Sequence, residues 1–198
     1  MEAELYKLVQ LIADGRFYSG EKLASAFGVT RAAIWKRMQR IDAELQLAID
    51  RVPGRGYRLS RPLVLLDRKQ LLSAIAPSQA SALDRLHLLP SIDSTSDYIA
   101  RHPVTAAGSC VACLAEQQTA GRGRRGRTWV SIFGENIYLS LGYSFNLPLP
   151  QLSGLSVAAG VSLAQVLGRH GLQQHSLKWP NDIHISGRKL AGILVDAS

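Results

Sequence analysis

The chain has 198 residues, of which 46% are hydrophobic and 19% charged, and its formal net charge is +8. That balance excludes a disordered polyelectrolyte and leaves length for one domain or two small ones with a real core. The cation excess favours anionic partners such as nucleic acids or nucleotides. No run approaches the length of a membrane span, and Met1-Glu2-Ala3-Glu4 lacks the basic-then-apolar pattern of a signal peptide, so a cytoplasmic protein without membrane attachment is expected.

In chain order, Leu5, Leu8, Val9 and Ile12 keep helical spacing, and Asp14-Gly15 ends that helix. From Gly20 to Gln39 the sequence predicts a short helix, a turn at Gly28 and a second helix capped by Thr30, the parts of a helix-turn-helix. Ala24 suits the close crossing of the two helices, and Ile34 supplies a core contact. Thr30, Arg31, Ala32, Trp35, Lys36 and Gln39 form the candidate DNA-binding side of the second helix. Leu47 to Leu59 reads as a hairpin turning near Pro53-Gly54. Arg51, Arg55 and Arg58 lie on or near it, where a wing meets phosphates, and Arg55 joins the candidate DNA contacts. Helix pairs with a basic face need not touch DNA, but the ordered set of turn, cap, basic helix and wing favours it.

Arg61-Pro62 ends the first domain, residues 1–62. A linker and amphipathic helix follow over residues 63–82, with a loop expected from Pro77. The second domain spans residues 83–198. Leu86 to Ile92 is strand-like and leads into Asp93-Ser94-Thr95-Ser96-Asp97, where Ser94 and Asp97 resemble a capping box opening the helix Thr95 to Arg101. Such a helix start offers hydroxyls and N–H groups to a small anion. As a cap alone it would be unremarkable.

Cys110 and Cys113 invite a redox or zinc reading. Their run looks instead like a buried strand with the two thiols on opposite faces, and further metal ligands at suitable spacing are missing. That strand carries Gln117 and Gln118 into Gly121-Arg-Gly-Arg-Arg-Gly-Arg-Thr-Trp129. Arginine is a planar fork of donors for phosphate or carboxylate, and glycine lets backbone approach a ligand. A solvated basic loop or a nucleic-acid tail has this composition too, but strand-like segments flank the run closely on both sides.

Next, Asn136 to Leu141 alternates with Ile137, Leu139 and Leu141 on one face. Leu152 to Arg169 reads as a helix whose buried stripe is Leu155, Ala159, Leu163 and Val166. Leu177-Lys178-Trp179-Pro180-Asn181-Asp182 ends a strand in a polar turn. Ile183 to Val195 is a hairpin turning at Ser186-Gly187, with His184 facing outward.

Taken in order, the helix-turn-helix, Asp93 to Thr95, GRGRRGRTW and KWPND followed by GRKLAGIL resemble the bifunctional biotin–protein ligases that also repress biotin synthesis. The resemblance runs along nearly the whole chain. It implies an α+β fold of two domains: a winged helix-turn-helix, then the first part of a mixed-sheet, class II synthetase-like ligase domain. It further implies that biotin's carboxylate attacks the α-phosphate of ATP, giving biotinyl-5′-AMP and pyrophosphate, and that a lysine of a carboxylase carrier domain then takes the biotinyl group. ATP and biotin are the implied substrates and Mg²⁺ the implied ion.

Residue by residue, the resemblance assigns Ser94, Thr95 and Gln118 to biotin, with Ser96 standing where the family usually has Asn. Gly121, Arg122, Gly123 and Arg124 match the loop that closes over biotin and the adenylate. Arg127 serves the phosphates and Trp129 the adenine side. Lys178 and Arg124 are the implied catalytic pair, Lys178 bonding the biotinyl-adenylate. Asn181 and Asp182 shape the turn, Asp182 being the candidate Mg²⁺ ligand, and Gly192 allows close approach to the biotin rings. A DNA operator and a homodimer of the biotinyl-AMP-bound form are the implied partners.

Trp35 replaces a polar residue common in the family's recognition helix, so operator preference does not carry over. The family also continues beyond the equivalent of Ser198 into more sheet and a small SH3-like domain. The resemblance therefore implies that this chain has weak or no ligase activity alone. Two other readings stay open: a winged-helix regulator that senses biotin or its adenylate without transferring it, and a lipoate-attaching enzyme.

Overall fold

The computed structural model describes residues 1–123 and 126–196. The chain divides into two compact units, Met1–Gly121 with Trp129–Ser144, and Arg122–Thr128 with Phe145–Ser198.

In the first unit, Leu5, Leu8, Val9 and Ile12 line one face of α1 (Ala3–Ile12) and are buried, as their spacing predicts. α2 (Gly20–Phe27) stops where Gly28 takes φ +61, a left-handed turn that favours glycine. α3 (Arg31–Leu45) starts at Thr30, whose hydroxyl oxygen accepts the Ala33 N–H at 3.2 Å. Its buried stripe is Ile34, Met38 and Ile41. The wing is an antiparallel hairpin of β1 (Ile49–Val52) and β2 (Gly56–Leu59). Tyr57 exchanges both backbone hydrogen bonds with Tyr18, at 2.8 and 2.9 Å, which ties the wing to the start of the helical pair. Gly56 makes this possible: it stands at φ +100, and a Cβ there would lie 2.0 Å from the Tyr18 carbonyl oxygen.

Phe133, far along the sequence, is buried within this same cluster, with its ring 6.4 Å from Tyr6 in an edge-on pair. Leu63 and Leu65 pack on the cluster as well. α4 (Arg68–Ala74) follows, capped by Asp67, with no residue fully buried. The loop expected at Pro77 is instead the short helix α5 (Pro77–Ala80). Proline suits a first helical turn, where its fixed φ is helical and its missing N–H has no partner to lose.

β3 (Leu83–Leu89) starts earlier than the expected Leu86 and stops before Pro90, which has no N–H for a ladder. It runs parallel to β4 (Cys110–Ala115), which pairs antiparallel with β5 (Tyr138–Tyr143), giving the mixed sheet β3-β4-β5. Cys113 is buried and Cys110 half-buried, and both are free; burial pushes the Cys113 thiol up to about 11. Neither is an activated thiolate. The apolar face of β5 is the exposed one: Leu139 and Leu141 are 48% and 61% open. The alternate positions turn inward, and a Cβ at Gly142 would lie 2.7 Å from Ile99 Cγ2 of α6 (Thr95–Arg101), so a glycine lets that helix sit close on the sheet.

In the second unit a 3₁₀ turn (Leu149–Leu152) precedes α7 (Leu155–Arg169). Of the expected stripe, Leu155, Ala159 and Leu163 are half-buried around the fully buried Gly160 and Ala164, while Val166 is 46% exposed. A Cβ at Gly160 would lie 3.5 Å from Leu177 and 3.7 Å from Ile193, so this position faces the sheet at ordinary contact distance. Contrary to expectation, residues Leu149–Arg169 are long and apolar enough to cross a membrane by length and composition, with mean hydropathy 1.3. β6 (His175–Lys178), β7 (Asp182–Ile185) and β8 (Arg188–Gly192) form an antiparallel sheet, turning at Ser186 and Gly187 with φ of 48° and 76°. His184 is half-buried rather than outward: its Nε2 is buried with no hydrogen-bond partner among the described residues. A register shift between Ile183 and His184 in the pairing with β8 interrupts the regular alternation there.

Candidate functional site

Strand β4 delivers its last residues into the first unit's polar centre. Thr95 is 3% exposed, and both its N–H and its hydroxyl donate to Gln118 Oε1, at 2.8 and 3.0 Å. With that hydroxyl hydrogen committed, Ser140 Oγ, 2.8 Å away, is the donor to Thr95 Oγ1. Gln118 is fixed from the other side by its own N–H, which donates to Ser131 Oγ at 2.7 Å. Ser94, 1% exposed, accepts the Asp97 N–H at 3.2 Å as the cap of α6. Its own N–H donates to Asp93 at 2.7 Å, and the Arg101 guanidinium grips that carboxylate with two bonds of 2.9 and 3.0 Å. This grip, reinforced by the Ser94 N–H, holds the Asp93 carboxyl at about 2. Ser96 follows on the same helix, half-buried.

The structure therefore brings Ser94, Thr95 and Gln118 together, as expected from sequence. It adds Ser140 and Ser131, which sequence reading did not select. The available signal for Ser140 was a polar residue between Leu139 and Leu141 on a strand, which places it on the opposite face from both.

Gly121 lies against this cluster. A Cβ there would fall 3.0 Å from Gln118 Nε2 and 3.2 Å from Trp129 Cβ, so a side chain at the entry to the Gly/Arg loop would have to displace these neighbours by a few tenths of an ångström. The loop's base is a narrow ladder: Trp129 N–H donates to the Gly121 carbonyl at 2.9 Å, Arg122 bridges Thr128, and Gly123 N–H donates to the Arg127 carbonyl at 2.7 Å. Arg122 and Arg127 are exposed and Trp129 is half-buried. Arg124 lies outside the described residues. After the loop, Tyr138 is an anchor: its hydroxyl accepts the Ile132 N–H at 2.8 Å and an Asn136 amide at 3.0 Å, and donates to the Ile132 carbonyl at 3.1 Å.

At the foot of β4, Glu116 is 3% exposed. It accepts the Leu66 N–H at 2.7 Å and the Tyr6 hydroxyl at 3.4 Å, joining α1 and the segment after the wing to the residue that precedes Gln117-Gln118. Burial pushes its carboxyl above the usual range, against the pull of the Leu66 bond, and pushes the Tyr6 phenol up to about 12. Sequence reading missed this residue; a glutamate ending an apolar strand looks like an ordinary rim charge.

In the second unit, Lys178 closes β6 and is exposed, with Asp182 opposite it in register. Asn181 is a clamp: its side-chain amide donates to the Ile193 carbonyl at 2.7 Å, and its own carbonyl accepts the Ile193 N–H at 2.9 Å. Asp182 accepts Lys189 Nζ at 2.8 Å, and Gly192 is its register partner on β8. The described residues contain no group of three acidic, histidine or cysteine ligands for a metal.

On the helix-turn-helix, Arg31, Ala32, Trp35, Lys36 and Gln39 are all exposed and share one side of α3, with Thr30 at its start. Arg55 is exposed on the wing turn, and its guanidinium stacks 4.1 Å over Phe17. Arg51 and Arg58 are instead paired with Asp42 and Asp50, at 3.2 and 2.8 Å.

A winged helix-turn-helix followed by a mixed sheet with a hydroxyl-lined helix start and a Gly/Arg loop defines a class of protein, and the comparisons agree with it. Residues 88–197 match the Biotin/lipoate A/B protein ligase family, and residues 4–58 match an HTH domain. The chain belongs to the biotin/lipoate A/B protein ligase family. It is similar to the "Bifunctional ligase/repressor BirA" of Escherichia coli strain K12, with 42% identity over 190 residues, covering 96% of this chain and 57% of that protein. The Bacillus subtilis protein of the same name is 31% identical over 185 residues, covering 93% of this chain and 56% of its own length. The chain thus spans a little over half the length of these relatives. A biotin protein ligase from Leishmania major, solved with biotin, superposes with a TM-score of 0.50 at 30% identity, covering 57% of this chain and 51% of that one.

Proposed function

We propose that this chain carries the DNA-binding and acid-activating portions of a biotin–protein ligase that is also a biotin-responsive repressor. The division is residues 1–62 for DNA binding, 63–82 as connector and 83–198 for biotin and ATP. The observation that carries the reading is the Thr95–Gln118–Ser140 network, a buried set of hydroxyl and amide groups at a helix start, whose Gln118 stands three residues before Gly121 in sequence. In this reading Ser94, Thr95, Ser96 and Gln118 hold biotin. Arg122, Gly123, Arg124, Arg127 and Trp129 cover the adenylate, and Lys178 neutralises its phosphate.

The chemistry suits residues of this kind. A carboxylate is a competent nucleophile at neutral pH, so its attack on the α-phosphate needs no general base. The oxygen–phosphorus bond forms as the bond to pyrophosphate breaks, and the need is to hold two anions together. A carrier lysine then attacks the acyl carbon and AMP leaves. The described residues around Asp182 do not fit a protein-held Mg²⁺ site, because they contain no group of three acidic, histidine or cysteine ligands and Asp182 itself is paired with Lys189. Mg²⁺ enters instead as the counter-ion of the nucleotide, where it keeps most of its waters. The protein is cytoplasmic, and the adenylate-bound form dimerises on its operator.

The test is pyrophosphate release by the product of the complete open reading frame, with ATP and either biotin or lipoate. Release that requires biotin is expected. Release only with lipoate, or none while biotinyl-5′-AMP still binds, would replace the reading by a lipoate ligase or a non-catalytic sensor. Arg124→Gly is expected to let the adenylate escape before transfer, seen as free biotinyl-5′-AMP in solution.

A further inference from the structure

The exposed side of α3 combines two features that rarely share a surface. Trp35 is 46% exposed, with Ala32 one turn before it and Arg31, Lys36 and Gln39 around it. The opposite side of the helix, Ile34, Met38 and Ile41, is fully buried, so the indole is not a displaced core residue. Nor does its ring make an aromatic or cation–π contact among the described residues.

The charges around it are sorted. Arg37 pairs with Glu4, Arg40 with Glu2 and Glu44, Arg51 with Asp42 and Arg58 with Asp50. Arg31, Lys36 and Arg55 have no carboxylate partner among the described residues. Arg31 and Lys36 beside Trp35, and Arg55 on the wing, thus carry charge that no carboxylate compensates among the described residues. That pattern fits a polyanion, and the second helix of a helix-turn-helix fits the major groove of B-form DNA.

Within that groove the choice for an indole is narrow. It has one N–H donor and no acceptor, and otherwise presents an apolar plate. Against guanine, adenine or cytosine edges the plate would cover polar groups without replacing their hydrogen bonds. Thymine alone among the four bases offers an apolar group there, its C5-methyl. Resting on the DNA-binding reading above, we infer that Trp35, with Ala32 beside it, reads a thymine C5-methyl in the operator. Arg31, Lys36 and Arg55 supply charge that does not depend on sequence.

The experiment uses the product of the complete open reading frame with biotin and ATP. An operator is selected from random-sequence duplexes, and each thymine is replaced in turn by deoxyuridine, which removes the methyl and nothing else. Affinity is read by fluorescence anisotropy at fixed salt. At one thymine per half-site, loss of the methyl should weaken binding about fivefold, the scale of one buried methyl. Trp35→Ala should abolish that penalty at that position alone, leaving the slope of affinity against salt unchanged. Trp35→Phe, which keeps an apolar ring, should retain part of it. A selected operator with no Trp35-dependent methyl position would overturn the inference while leaving the repressor reading intact. So would Trp35→Ala weakening every sequence equally. If no sequence is selected at all, the repressor reading falls and the inference with it. Where Trp35→Ala fails to fold, Trp35→Gln carries the same attribution, and an unaltered protein with no methyl-sensitive thymine overturns the inference by itself.

Discussion

Thr95 and Lys178 are both candidate ligand contacts, yet their surroundings differ in kind. Thr95 is 3% exposed, and its N–H and hydroxyl are already committed to Gln118 and Ser140. Lys178 is exposed at the end of a four-residue strand, with no carboxylate partner among the described residues. The first region is held by hydrogen bonds within the protein itself. The second is held in reserve, its charge solvated until an anion arrives. Polar groups in a buried network contribute to folding and to binding together, whereas an exposed cation contributes only when the ligand is there.

This contrast sets an order of expected effects. Lys178→Ala should lower kcat/KM for pyrophosphate release by about 10²–10³, as for loss of one donor to developing charge, and leave thermal stability unchanged. A stability loss matching the catalytic loss would erase the distinction. Gln118→Ala strands two donors of Thr95. It should destabilise the protein by roughly 1–3 kcal/mol in denaturant titrations and weaken biotin binding in parallel. Weakened binding without destabilisation would move Gln118 into the class of Lys178. Ser94→Ala removes the cap of α6 and should cost about 1 kcal/mol by the same measurement, with a smaller change in biotin affinity.

The smallest effect is a pH dependence with two limbs. Burial raises the Glu116 carboxyl above 4.5, so the folded state favours its protonated form. Its contribution is fully present below 4.5 and is lost as pH rises through the raised value. Asp93 acts in the opposite sense. Its pKa is lowered from 3.8 to about 2, so its contribution is present above 3.8 and lost as pH falls towards 2. Melting temperature against pH should therefore lose its upper limb in Glu116→Gln and keep its acid limb, while Asp93→Asn does the reverse.

Much of this was legible in sequence because it is local. Gly28 at a helix end, Thr30 and Ser94 as caps, and Ser186-Gly187 as a hairpin turn each follow from the conformations those residues favour. What was not legible depends on partners distant in the chain. Glu116 is buried because Tyr6, 110 positions away, and Leu66 reach it. Phe133 belongs to the N-terminal cluster for the same reason, and nothing in its neighbourhood of the sequence says so. On α7 the half-buried Leu155, Ala159 and Leu163 were legible, but Val166 is exposed and the fully buried positions are the small Gly160 and Ala164, which no apolar spacing marks. Of the candidate site, the helix start and Gln118 could be read from motifs. The Ser140 donor could not, since only the pairing of β5 with β4 sets which of its faces meets Thr95.

The central claim is that the Thr95–Gln118–Ser140 network is held by the protein's own hydrogen bonds. Amide hydrogen exchange at Thr95, whose N–H lies 2.8 Å from Gln118 Oε1, tests it most directly. Measured in the protein without biotin or nucleotide, exchange at this amide should already be slow, and adding biotin should change it little. Rapid exchange that slows only when biotin is added would show that the ligand builds the network, and would contradict the account.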